Sequence, residues 1–428
     1  MEQGITHEVT LLILQLAFIL FIARIFGEIF EKFLKQPGVL GELVAGMLLG
    51  PYLLGSYLKL PVIGSLFPIL PAASLEAQAN IPIQFPLYAI GQLGSVVLLL
   101  MAGLETNLAS FLRFAGKATI VGAAGIVIPF VAGAYVTIWF GYATAFFDGA
   151  ALFMGAILAA TSVGITARVL SEIKKLDTPE GITILGAAVV DDVLGILVLA
   201  IVVNLVESGT VQFAAIGFTA LKAIGIWIGL SVLFIYSAPV LARIWSGFRT
   251  PGSSLVLTII ACFVAAVICE MVGLALIIGA YVVGLAFSNT PIAPKMIEEL
   301  KGLYHVLVPV FFVILGMLVN FDAMKHAIIF GLVITFVAIV GKLIGCGAAG
   351  FACGFNLLGS SRIGIGMIPR GEVALIIAGY GLTKGVVDQE IFGVAILMTI
   401  LTTFLAPTFL LPVFKTQENG LRKELLAN

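Results

Sequence analysis

Apolar residues fall along this chain in long blocks, and the charged and polar residues gather in the short stretches between them. Most blocks are close to the ~20 apolar residues that carry an α-helix across the ~30 Å hydrocarbon core of a bilayer. Thirteen can be counted, at residues 9–31, 38–54, 86–104, 116–141, 148–170, 180–205, 213–241, 253–271, 273–289, 303–320, 326–352, 359–383 and 389–414. The second is short and stops at Gly50-Pro51, and only a break at Gly273 separates the eighth from the ninth. The proline-rich stretch from Leu58 to Phe85 reads as a long loop with an interfacial piece. Blocks of this length satisfy their backbone in lipid only as helices, so the pattern predicts an all-α polytopic membrane protein with 13 transmembrane helices. The first block follows MEQGITHE, which is acidic, and runs too long for a signal-peptide core, so it is expected to remain as a helix.

An odd number of crossings puts the two termini on opposite sides. With the N-terminus outside, inside-facing segments hold 15 of the 22 lysines and arginines, and outside-facing segments hold three, Lys59, Lys325 and Lys384. The other four, Arg24, Lys222, Lys342 and Arg370, lie within spans. Basic residues stay on the cytoplasmic side, so this bias predicts an outside N-terminus and a cytoplasmic C-terminus. Six blocks precede the seventh and six follow it. A single linking helix makes the second unit enter from the opposite face, which gives two inverted six-helix repeats joined by a linker helix. The fifth span of each unit is unusual. One carries Ala160-Thr161-Ser162-Val163-Gly164, and the other carries Gly364-Ile365-Gly366-Met367-Ile368-Pro369-Arg370-Gly371. Gly, Pro and hydroxyl residues at corresponding places in two halves point to broken helices at a midplane site, whereas glycine alone is also an ordinary packing residue of membrane helices.

Composition agrees with this class. The 428 residues are 61% hydrophobic and 11% charged, against about 45–50% and about 25% for a soluble domain. A net charge of −1 gives no electrostatic case for a nucleic-acid partner. Cys262, Cys269, Cys346 and Cys353 sit in apolar segments without metal-ligand spacing and read as packing residues. His7, His305 and His326 are scattered near helix ends and read as interfacial. No nucleophile–base pair or metal cluster stands out, so no enzyme and no bound cofactor is expected.

Charge inside the apolar blocks changes the picture most. In Gly181–Leu205 the charged residues are Asp191 and Asp192, side by side at the middle. An acidic side chain at midplane costs about 2.5–3.5 kcal/mol on insertion scales, and intramembrane ionisable residues mark ion pathways and proton relays. The plainer reading is a salt-bridged packing pair. Lys342 sits at the middle of the eleventh span, too deep to reach an interface, and needs Asp191 or Asp192 as counter-ion. Arg370 and Glu372, two residues apart, read mainly as a structural ion-pair clamp, with separate partners or an unwound backbone between them. Asp191, Asp192 and Glu372 against Lys342 and Arg370 leave one negative charge over, which suits one monovalent cation or one proton. Thr161 and Ser162 can add oxygen ligands, and half-helix ends add partial charges.

These residues resemble a known family. The Asp191-Asp192 pair, Gly341-Lys342-Leu343-Ile344-Gly345, Pro369-Arg370-Gly371-Glu372 and the segment Gln36–Pro51 are together similar to the monovalent cation:proton antiporter-2 family of bacterial sodium/proton exchangers. The resemblance implies a homodimer. It implies a scaffold domain at residues 1–110 and 251–322, a core transport domain at 111–208 and 323–428, and a linker helix at 209–250, with the two broken helices crossing in the core. It implies that Asp192 binds the transported Na⁺ or H⁺, while Asp191 pairs with Lys342. Relatives with two aspartates and the lysine are generally electrogenic. It also implies a bacterial cytoplasmic membrane as the location. Potassium-efflux relatives carry a nucleotide-binding domain after the last helix, and the resemblance leads to the expectation that this chain lacks one, with about 14 residues after its last block.

The expectation is therefore exchange of Na⁺, or Li⁺, for H⁺ by alternating access, probed by offering each cation in turn. A K⁺/H⁺ antiporter or K⁺ efflux transporter on the same scaffold is the first alternative. A passive cation channel would need filter-like rings, which are not evident. A sodium-coupled symporter of organic solutes would leave Lys342 unexplained.

Overall fold

The computed structural model describes residues 2–60, 64–68, 70, 81–208, 213–320, 328–416 and 418–422. Apart from a two-residue antiparallel pairing of Lys59–Leu60 with Gly64–Ser65, its regular structure is helical. The helices are α1 (Glu2–Ile29), α2 (Gly38–Leu49), α3 (Phe85–Leu104), α4 (Leu108–Trp139), α5 (Gly149–Ala159), α6 (Val163–Glu172), α7 (Pro179–Ser208) and α8 (Phe213–Ser246). They continue as α9 (Ser253–Glu270), α10 (Leu276–Phe287), α11 (Ala293–Met317), α12 (Ile328–Ala352), α13 (Leu357–Gly366), α14 (Glu372–Thr383) and α15 (Gln389–Lys415). Ten segments among the described residues, one of them α5 and α6 together, are long and apolar enough to cross a membrane. Gly38–Leu49, Leu276–Phe287 and Val373–Thr383 are shorter apolar helices. Much of the loop expected between Leu58 and Phe85 lies outside the described residues.

Local chemistry explains where the helices start. Asn107, Asp148, Asn356 and Asp388 each precede a helix, and their side chains accept from Ser110, Ala150, Gly359 and Ile391 N–H. Each satisfies one of the donors that a helix start leaves open. The helix expected to begin at residue 303 begins ten residues earlier, at Ala293. Its first turns carry Lys295, Glu298, Glu299 and Lys301, and Lys301 Nζ lies 2.5 Å from Glu298 Oε2. The same turns bury Met296 and Leu300 on one face, so the segment is amphipathic rather than uniformly apolar, and a search for apolar blocks misses it.

The helices pack closely at small residues. A Cβ on Gly46 of α2 would lie 2.0 Å from Val313 O of α11, and one on Gly316 of α11 would lie 2.3 Å from Leu43 O of α2. The same crossing recurs between α3 and α10, where a Cβ on Gly103 would lie 2.5 Å from Tyr281 O and one on Gly284 2.4 Å from Leu100 O. Both crossings bring backbone against backbone, which a larger side chain forbids. One apolar cluster joins α1, α2, α3 and α11 through Ile19, Ala45, Leu87 and Val313. A second joins α5, α12, α14 and α15 through Phe153, Ile334, Ile377 and Val394. Phe218, Leu221 and Tyr236 of α8 project outward with 70–78% exposure, an apolar surface suited to lipid.

Candidate ion-binding site

Two helices are interrupted at the middle of the molecule. Ala160-Thr161-Ser162 separates α5 from α6, and Met367–Gly371 separates α13 from α14. The second break follows from its sequence. Pro369 has no N–H to donate, and a Cβ on Gly371 would lie 2.6 Å from Ser162 Oγ. The two unwound segments satisfy each other. Ser162 N–H donates to Pro369 O at 2.8 Å, and Thr166 Oγ1 donates to Gly366 O at 2.6 Å. Irregular backbone at this depth persists only where protein supplies such partners.

Arg370 sits within the crossing, fully buried. Its Nη1 donates to Ala160 O at 2.6 Å and to Thr161 Oγ1 at 3.4 Å, and its backbone N–H donates to Thr402 Oγ1 at 3.2 Å. Thr403 Oγ1 donates to Arg370 O at 2.8 Å. The guanidinium thus meets the carbonyl end of α5, where the helix dipole favours a positive charge. Glu372 begins α14, and its side chain lies outside the described residues. Thr161 is therefore placed against Arg370, and Ser162 against Gly371 and Pro369.

Asp191 and Asp192 are consecutive on α7, so their side chains leave the helix about 100° apart. One direction leads to α12, where Lys342 Nζ lies 2.9 Å from Asp191 Oδ1, with both side chains at most 1% exposed. The other leads to a cavity of about 320 Å³, where Asp192 shares the wall with Tyr88, Gln92, Glu270 and apolar residues such as Leu199 and Ile376. Three buried polar atoms around the crossing, Asp191 Oδ2, Ser162 Oγ and Arg370 Nε, have no hydrogen-bond partner among the described residues.

Two further arginine-centred ion-pair groups, one buried and one partly buried, escape sequence reading. Arg362 Nη1 lies 2.5 Å from Glu180 Oε1, and the same guanidinium donates to Val413 O, Thr416 O and Glu418 O. Arg168 joins Glu42 and Glu172. Glu42 lies within an apolar block, and that depth was a usable signal. Arg362 and Glu180 are 182 residues apart, and nothing local to either announces the other.

Interrupted helices crossing beside a buried lysine–aspartate pair and a second, cavity-facing carboxylate define an ion-translocating membrane protein. The chain belongs to the sodium/hydrogen exchanger transmembrane family, whose pattern it matches over residues 17–416. It is 37% identical to the high-affinity Na⁺/H⁺ antiporter NhaS3 of Synechocystis, over 96% of this chain and 91% of that one. It is 34% identical to the Na⁺/H⁺-K⁺ antiporter GerN of Bacillus cereus, over 95% of this chain and 97% of that one. Its fold resembles that of the sodium proton antiporter MjNhaP1 of Methanocaldococcus jannaschii, with a TM-score of 0.68 at 16% identity, over 95% and 99% of the two chains.

Proposed function

We propose that this chain is a secondary transporter that exchanges Na⁺ for H⁺ by alternating access, with Asp192 as the shared binding carboxylate. One observation carries the reading: Lys342 neutralises Asp191 at 2.9 Å, while Asp192 faces a cavity. Asp192, beside that pair, presents its carboxylate to the cavity, where a monovalent cation or a proton can bind it. Both cargoes compete for it, and that competition is the coupling. Carboxylate and hydroxyl oxygens suit a hard cation such as Na⁺, and Thr161 and Ser162 are proposed as auxiliary oxygens. The names of NhaS3 and GerN agree with this cargo, and GerN's name adds K⁺, so K⁺/H⁺ exchange is the second reading.

The architecture proposed for this activity has thirteen spans, in which α5–α6 and α13–α14 each make one broken crossing and α8 links two inverted repeats. The duplicated glycine crossing supports it. An inverted repeat relates the second and tenth spans to the ninth and third, and Gly46–Gly316 and Gly284–Gly103 are related in that way. The broken helices belong to a core that moves, and spans 1–3 and 8–10 to a scaffold. A homodimer in the bacterial cytoplasmic membrane, with the C-terminus cytoplasmic, completes the proposal. The Asp192 cavity is bounded by the starts of α3 and α10 and the outer half of α7, so in this orientation it opens outward.

Reconstituted protein decides the cargo. Na⁺, Li⁺ and K⁺ are offered in turn to proteoliposomes holding a pH-sensitive dye, and Na⁺ and Li⁺ should move protons. Flux with K⁺ alone selects the second reading, and flux with no cation rejects exchange.

A further inference from the structure

At the end of the molecule opposite the Asp192 cavity, a polar cluster, buried at Glu42 and Tyr304 and open to solvent at Glu105 and Glu172, bridges helices assigned above to the core and the scaffold. The placement follows from chain direction. Helix α3 runs from Tyr88 at the cavity to Glu105 at the cluster, and α7 runs from Glu180 at that same end to Leu199 at the cavity. On the core side the cluster holds Arg168, Ser171 and Glu172, all in α6 or its last turn. On the scaffold side it holds Glu42 of α2, Tyr304 of α11 and Glu105, which follows α3. Arg168 Nη2 lies 3.7 Å from Glu42 Oε1, and the guanidinium carbon lies 5.0 Å from the centre of the Tyr304 ring. Ser171 Oγ donates to Glu105 Oε2 at 3.0 Å. The side chains of Arg168 and Glu42 are 11% and 8% exposed.

Arg168 has two kinds of partner. Glu42 and Tyr304 stand on the opposite side of the seam. Glu172, four residues along α6, holds Arg168 Nε at 2.7 Å and travels with it. Parting the seam therefore leaves Arg168 compensated, which a lone arginine at this depth would not be. Glu42 is the member left behind, and its Oε2 already has no hydrogen-bond partner among the described residues. We infer that Arg168 is a positioning residue of the exchange cycle: it latches this end of the seam to Glu42 and Tyr304 while Asp192 faces the cavity, and passes to Glu172 alone when the seam opens. The latch rests on the proposed exchange for its place in a cycle, and its sided opening can be measured without any flux.

The two glutamates must then act in opposite directions. Removing the charge of Glu42 weakens the latched state, and removing that of Glu172 weakens the unlatched one. The reporter is a cysteine at Ala102, one helical turn along α3 from Leu98, whose Cδ2 a Cβ on Gly164 of α6 would contact at 3.6 Å. A membrane-impermeant maleimide is applied to the Arg168 face of oriented vesicles holding full-length Ala102→Cys protein, with the unsubstituted protein as background. Glu42→Gln should speed labelling about tenfold, equivalent to ~1.4 kcal/mol, and Glu172→Gln should slow it. Arg168→Lys, a point charge that holds both carboxylates less well, should fall between the parent and Glu42→Gln. Glu42→Asp serves if Glu42→Gln does not fold. In flux assays Glu42→Gln should raise the KM for Na⁺ at the cavity face relative to the other face. Unchanged labelling in Glu42→Gln, or a shift of the same sign in both glutamate variants, overturns the latch and marks the cluster as a static strut. If the parent drives no flux with any cation, exchange fails while the labelling still tests the latch.

Discussion

Adjacent side chains on one helix face different neighbours, and the division of labour between Asp191 and Asp192 starts there. Asp192→Asn should abolish cation-driven proton flux while the protein still elutes as a folded species, because it removes the cavity-facing charge and leaves the Lys342 pair intact. Flux from purified Asp192→Asn at the parent rate rejects the assignment. Asp191 and Lys342 form a pair in which each is the other's compensation at full burial. Breaking such a pair from one side costs about 3–5 kcal/mol, because it leaves an uncompensated charge. Asp191→Asn and Lys342→Gln should each lower the melting temperature in detergent, and the double variant should recover much of the loss. Additive losses would show that the two do not depend on each other. Activity against pH should also shift in Asp191→Asn, because the variant removes the carboxylate that Lys342 pairs with.

Helix ends are where this fold places its polar backbone, and the crossing of α5–α6 with α13–α14 is its tightest example. The Ser162–Pro369 bond and the Arg370–Ala160 bond each tie one break to the other, so the two interrupted helices respond to substitution as one unit. Gly371 is the sensitive position. A methyl there would meet both Oγ and Cβ of Ser162, at 2.6 and 2.8 Å. Gly371→Ala should therefore destabilise by about 1–3 kcal/mol through overpacking, and Gly371→Ala with Ser162→Gly should restore part of it. Thermal melts of the three variants measure this, and equal melting of Gly371→Ala and the parent would show that the crossing has room.

Charge movement belongs to the complete transporter, because it depends on what crosses the whole bilayer in each half-cycle. If Asp192 carries the metal ion one way while Asp191 and Lys342 are paired, and Asp192 and Lys342 each carry a proton on the return, two protons exchange for one Na⁺. The membrane potential then acts on the net charge with about 2.3 kcal/mol per 100 mV. An imposed potassium-diffusion potential should therefore accelerate or retard Na⁺-driven proton movement according to its sign. Insensitivity to that potential would make the Asp191–Lys342 pair a permanent strut and the exchange electroneutral.

Much of this was legible in the amino-acid order, for a physical reason. Lipid cannot solvate a charge or a free peptide group, so every apolar block and every ionisable residue within one is a strong signal. Block length determined the helical membrane class, and the isolated charges marked Asp191, Asp192, Lys342 and Arg370. Glycine, proline and hydroxyl residues marked both interruptions. Tertiary structure alone decided which polar groups meet. The residues by themselves left Asp191 and Asp192 equal as partners for Lys342, and the rotation of α7 against α12 separates them. The residues by themselves gave no sign that Arg370 meets the carbonyl of Ala160, where the fold brings it. Arg168 and Arg362 stood near block ends, where basic side chains ordinarily reach water. Packing instead pairs them with Glu42 and Glu180, because which distant segments meet depends on how helices dock.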